Sequence, residues 1–135
     1  MADVATRLRN FLLSKTAITN YVGKRIVETR PAQHIADPYI RFASISSENA
    51  DVLDGSVGDA PLNWSVQIEA VGRDETVVKA LNANLRTALH LYHSTFDDTT
   101  AKGCFVDSQD VDLERFADGS DSGYFIGTST TRIFL

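Results

Sequence analysis

The order of apolar and polar positions along the 135 residues predicts a helical opening, strands in the middle around one long helix, and a strand-rich end. Val4, Leu8, Phe11 and Leu12 recur at helical spacing with Arg7, Arg9 and Asn10 off the stripe. This predicts a helix over 3–14, with Asp3 as its N-cap or in its first turn. Thr16 is expected to cap a second short turn through Ala17, Ile18, Tyr21 and Val22, closed by Gly23 in a left-handed conformation. Arg25 to Arg30 reads as a short strand stopped by Pro31. Pro38 then opens a longer strand through Tyr39, Ile40, Phe42 and Ile45, apolar on both faces as a central strand would be.

Leu62, Trp64, Val66, Ile68 and Ala70 alternate with Asn63, Ser65, Gln67 and Glu69, the period of a strand with one dry and one wet face. Asp74 sits at an N-cap position before Val77, Val78, Leu81, Leu85, Ala88, Leu89 and Tyr92, the stripe of the main helix. Lys79, Asn82, Arg86, His90 and His93 are expected on its polar side. Beyond an acidic turn at Asp97 and Asp98, Cys104 and Val106 occupy even positions, whereas Val111 and Leu113 occupy odd ones. A strand whose apolar parity flips must bulge, here near Ser108 to Asp110. A turn over Asp118 to Gly123 leads to a last strand from Tyr124 to Leu135. The expected fold is α+β: a mainly antiparallel sheet of about five strands with two principal helices packed on one face.

At this length one domain over residues 1–135 is expected, and the 43% hydrophobic content suits a packed core. The longest apolar runs are triplets such as Phe11 to Leu13, far short of the roughly 18 residues of a membrane span. Arg7, Arg9 and Lys15 interrupt any signal-peptide core, and the single Cys104 cannot form an intrachain disulfide. A reducing cytoplasm suits it. Charge is unevenly placed: residues 1–45 carry a net +4, residues 46–92 a net −4 and residues 93–125 a net −6. The longest basic run is Lys24-Arg25, so tight phosphate binding to nucleic acid is disfavoured.

Candidate chemistry is sparse. Nucleophile elbows, phosphate loops, dinucleotide fingerprints and paired-His zincin helices are missing from the sequence. His90, His93 and Asp97, with Cys104 nearby, could supply metal ligands, because the two His lie one helical turn apart. The simpler reading makes both His solvated residues at a helix C-terminus, where positive charge is favoured. Asp118, Ser120, Ser122 and Gly123 imitate the start of a calcium loop, but Ser129 stands where a bidentate Glu is needed, so a plain turn is expected. His34 lies in a polar loop without a partner that would make it a base. The expectation is a protein without catalytic residues, cofactor or metal. Trp64, Tyr39, Phe42, Tyr124, Phe125 and Phe134 are read chiefly as core, since a base-stacking platform would need a basic groove.

The order of these weak signals resembles one family: the tail completion proteins of long-tailed phages, also called tail terminators or head-to-tail joining proteins. LRNFLLSKTAITNYVGKRIVETRPAQHIADPYIRF is similar to the family's first helix, short strand, Pro-containing loop and Pro-Tyr strand entry. Leu53-Asp54-Gly55 resembles its mid-chain loop, NWSVQIEAVGRDETVVKALNANLRTAL its long strand and second helix, and GYFIGTSTTRIFL its terminal strand. The resemblance runs from Leu8 to Phe134. Two stretches depart from it: Phe96 to Phe116 is more acidic than the family pattern, and the surroundings of Trp64 match no close motif.

The resemblance implies a structural virion protein of the tail or neck, assembled in the host cytoplasm. Its copies would form a ring, usually hexameric, that ends the tail tube and joins it to the head connector. Its partners would be itself, the tail tube protein and the head-closure protein, with DNA passing through unbound and no membrane involved. The alternatives are another neck ring (head-closure or stopper), the tail tube subunit, or a small metal-dependent enzyme using His90 and His93. Residues 51–61 form a connection longer than a hairpin loop. Asp51, Asp54 and Asp59 keep it polar, while Val52, Leu53 and Val57 have no evident core position and Gly55 loosens the backbone. These seven residues are the candidate assembly-interface loop.

Overall fold

A computed structural model describes residues 4–28, 36–49, 62–115 and 123–135. Helix α1 (Val4–Leu13) buries Leu8, Phe11 and Leu12, the stripe that the spacing predicts. Its expected cap Asp3 lies outside the described residues. Helix α2 (Thr16–Val22) starts at the expected cap residue itself: Lys15, one residue earlier and extended at φ −99°, is the N-cap, and no side chain caps the turn. The cause is the two-residue link from α1, in which the Lys15 carbonyl already accepts from the Ile18 and Thr19 N–H groups at 3.0 Å. Gly23 ends α2 at φ +58°, a conformation that costs a residue with a Cβ, and donates its N–H to the Thr19 carbonyl.

Strand β1 (Ile26–Glu28) is short, and β2 (Tyr39–Asn49) and β3 (Leu62–Gly72) follow. Helix α3 (Glu75–Leu89) begins at Asp74, whose carboxylate accepts the Thr76 N–H at 2.9 Å, as its position predicts. The helix stops at Leu89 rather than at Tyr92, because the chain turns outward through Leu91 at φ 64° and the Leu91 N–H bonds to the Cys104 carbonyl at 2.7 Å. The expected acidic turn is a small ribbon of β4 (Thr95–Phe96) and β5 (Thr99–Thr100). Long strands β6 (Gly103–Arg115) and β7 (Gly123–Phe134) complete the chain. No described helix is long and apolar enough to cross a membrane.

The main sheet has the order β1-β2-β3-β7-β6, and only the β1–β2 pair in it is parallel. This is the α+β fold that the pattern predicts, with a mainly antiparallel five-stranded sheet. Its helix-covered face carries Ile40, Phe42, Trp64, Val66, Ile68, Ala70, Ile133, Cys104 and Val106, all buried with the α1 and α3 stripes in one core. Two irregularities shift register. β6 bulges between Val106 and Ser108, slightly before the expected site, so that Asp107 is the extra residue. β2 bulges between Ser44 and Ser46. Ile45 is that extra residue and is 57% exposed, so it does not join the core as expected of a central strand.

Candidate assembly surfaces

The core beneath α3 contains a polar cluster that the helical spacing did not predict. Asn82 was expected on the polar side of α3, yet it is only 5% exposed. It lies four residues after Val78, in the buried stripe, and meets β7 at Gly127. A Cβ at Gly127 would fall 2.6 Å from Asn82 Oδ1, so the absent side chain is what admits an amide there. Asn82 Nδ2 donates to the Asp110 carbonyl at 3.1 Å, and Gln109 Nε2 donates to the Asn82 carbonyl and to Ser129 Oγ at 2.7 and 2.9 Å. These bonds fix α3 against the outer half of the sheet. Trp64 is anchored similarly, its indole N–H donating to Ser44 Oγ at 2.7 Å.

Of the residues considered for a metal, His90, Asp97 and Cys104 are engaged or buried elsewhere, and His93 is exposed. His90 Nδ1 accepts the Val106 N–H at 3.1 Å, so this side chain covers part of the outer edge of β6. Asp97 accepts from Asn10 Nδ2, and Asp98 forms a 2.6 Å ion pair with Arg7, both tying the β4–β5 ribbon to α1. Cys104 is fully buried, and burial pushes its thiol up to about 11. Among the described residues no three His, Cys, Asp or Glu side chains converge in a way that could hold a metal. Phe11 stacks on Phe96 with centroids 4.8 Å apart and meets Tyr92 edge-on at 4.9 Å. The Lys15 ammonium lies over both Phe11 and Tyr92. Beside this cluster, Ser14, Ala17, Asn84, Thr87 and Tyr92 line a groove of about 490 Å³.

The other face of the sheet is covered by no described helix and mixes cross-strand ion pairs with apolar side chains such as Phe105, Phe134 and the buried Val71. Arg41 grips Glu69 Oε2 with Nε and Nη2 at 2.9 and 2.6 Å, and Gln67 reaches the second carboxylate oxygen at 3.4 Å. Arg132 holds Asp107 with two bonds, at 2.8 and 3.0 Å, across the bulge. The Arg132 guanidinium also lies over the Phe105 and Phe134 rings. Burial raises the Tyr39 hydroxyl above its ordinary value, against the lowering effect of Arg41. The sequence signal for this face was the polar half of the alternation in β3; the cross-strand partners needed the register.

The two edges are unequal. β1 is three residues long, and Arg9 Nε on α1 donates to its Ile26 carbonyl at 2.9 Å. β6 is thirteen residues long, and His90 and Leu91 meet only its first part. Asp110, Asp112 and Glu114 are exposed on the remainder. The candidate loop residues Asp51, Val52, Leu53, Asp54, Gly55, Val57 and Asp59 lie outside the described residues, as do His34 and most of the Asp118–Gly123 turn.

The class into which this chain falls is that of phage tail structural proteins. It belongs to the family of tail completion protein gp17, whose sequence pattern matches residues 6–119. The family resemblance noted from the sequence is thereby established. No curated protein matches the chain. Among solved structures, a chain from the virion of a native gene transfer agent particle is 13% identical, with a TM-score of 0.69 over 97% of this chain and 92% of that one. That likeness is one of fold. A second solved chain, 12% identical over 96% of this chain and 89% of its own, has a TM-score of 0.47 and supports no conclusion.

Proposed function

We propose that the protein is a tail terminator: a single domain over residues 1–135 whose copies form a hexameric ring at the head-proximal end of the tail tube in the virion. There the ring stops tube elongation and presents a surface to the head-closure protein, and DNA passes through it without specific binding. The observation that carries this reading is the family match over residues 6–119. The likeness of fold to a chain of a gene transfer agent virion, spanning nearly the full length of both, supports it. Exposed sheet edges suit it as well, because a small subunit that joins through two different patches closes a ring when the rotation between copies closes. Residues 51–61, with Val52, Leu53 and Val57 among Asp51, Asp54 and Asp59, are assigned to the contact with a neighbouring subunit or the tube.

A deletion mutant tests the role. Loss of the protein is expected to leave heads full of DNA beside tails of abnormal length or tails that fail to join. Normal, joined tails in the mutant refute it. For the loop, hydrogen exchange over 51–61 is expected to slow in assembled tails relative to free protein. Equal exchange in both removes that contact.

A further inference from the structure

The sheet order places Lys24 and Arg25, just before β1, and the acidic residues 110–114 of β6 at opposite edges, although other charges of the opening and the late block meet at Arg7–Asp98. β1 ends the sheet on one side and β6 on the other. The registers also put the relevant residues at one level. Arg25 precedes Ile26, which pairs with Ile40, and its carbonyl accepts the Ile40 N–H at 2.9 Å. From the neighbouring Tyr39 the row continues through Val71 and Ile126 to Asp112. Arg25 and Asp112 therefore stand at the two ends of the same cross-strand row.

Each end of the row has the same construction with opposite charge. At the β6 end, Leu113 is 40% exposed between Asp112 and Glu114, with Asp110 exposed on the same strand. At the β1 end, Tyr21 is 38% exposed beside exposed Lys24, and Arg25 Nη2 donates to the Tyr21 carbonyl at 3.1 Å. Glu28, the acid of β1, is engaged within the chain and lies two positions beyond the Ile26 pair. The remaining described acids of the late block are bound elsewhere: Asp97 to Asn10, Asp98 to Arg7 and Asp107 to Arg132. Asp110, Asp112 and Glu114 are thus left exposed along the β6 edge on the open face, with Leu113 exposed on the opposite face of the same edge strand.

We propose that the β6 edge of one copy, through Asp110, Asp112, Leu113 and Glu114, seats against Tyr21, Lys24 and Arg25 of a second copy, and that this contact repeats around the ring. The inference rests on the ring reading above and names the surfaces that make the ring. Two acidic edges repel, so a symmetric pairing through β6 is opposed, whereas acid against base favours a head-to-tail contact. Cyclic symmetry rotates a subunit without moving it along the axis, so patches that meet must lie at one axial height. Patches in one row of the sheet meet that condition when the strands run along the axis.

An inter-copy disulfide tests the contact. The chain has one cysteine, buried and with its thiol pushed up to about 11, so it is a quiet background. The protein carrying both Tyr21→Cys and Leu113→Cys is incorporated into tails, oxidised and run under denaturing conditions. A ladder of covalent oligomers is expected from assembled tails, with monomer only from either single variant. Rings seen at the tail end without a ladder overturn this contact but leave the terminator role standing. A copy number far above one ring per tail overturns both. Charge reversal gives a second readout: Asp112→Lys with Glu114→Lys, or Lys24→Glu, is expected to cut joined particles by about tenfold each. The variant reversed at both edges is expected to recover them. If the combined variant is no better than the singles and only DNA delivery suffers, the acidic strip faces the lumen and the inference is wrong.

Discussion

The two faces of the sheet come from the same alternating strands but are held together in different ways. On the helix side, Trp64, Phe42 and Ile68 are buried in an apolar core, where the Asn82 amide nitrogen and the Ser129 hydroxyl are hydrogen-bonded while Asn82 Oδ1 and the Thr131 hydroxyl find no partner among the described residues. On the open side, the contacts are cross-strand ion pairs and ring contacts such as Arg41–Glu69 and Arg132 over Phe105. Burial of apolar surface is the main stabilising effect, and partly exposed ion pairs contribute little. Stability is therefore concentrated on the helix side, while the exposed ion pairs of the open face can change with little effect on folding.

Substitutions on each face break or sharpen that contrast. Trp64→Ala removes the largest fully buried side chain and its bond to Ser44, and should cost about 3–5 kcal/mol, read from denaturant unfolding by circular dichroism. A loss below about 1 kcal/mol would mean the core closes around the gap. Gly127→Ala drives a Cβ onto Asn82 and should cost about 1–3 kcal/mol. Combined with Asn82→Ala, part of that loss should be regained, since the clashing amide is gone; additive losses would contradict the close approach. On the open face, Glu69→Gln leaves Arg41 a neutral partner and should cost at most about 1 kcal/mol, because both side chains keep some water contact.

The smallest effect concerns Cys104. Its folded thiol holds its proton to about 11, above the ordinary 9.0, so folding favours the neutral form. That contribution is complete below pH 9 and fades as pH rises toward 11. Cys104→Ala should flatten the alkaline decline in stability, and the native thiol should resist iodoacetamide at pH 8 until the protein unfolds. Rapid alkylation of folded protein at that pH would show the site to be open.

Regular periods were legible in the sequence, and exceptions to them were not. The alternation from Leu62 to Ala70 marked β3, and the stripe from Val78 to Leu89 with Asp74 before it marked α3. Asn82 was misplaced because its polarity outweighed its position in that stripe; the compensating signal, Gly127, lies 45 residues away and becomes meaningful only when β7 meets α3. The β4–β5 ribbon consists of two-residue strands, too short to show a period. The parity flip in β6 announced its bulge, but the extra residue is Asp107, one position before the expected stretch. The uneven charge along the chain was visible from the start; that Arg25 and Asp112 fall at opposite ends of one row follows only from the sheet order together with the registers.

The proposed role of this protein is to close the tail at its head-proximal end. Electron microscopy of assembled particles carrying a tagged copy measures this directly. Density for one ring per tail is expected, located between the tube and the head. Label distributed along the length of the tube, or confined to the distal tip, would contradict it.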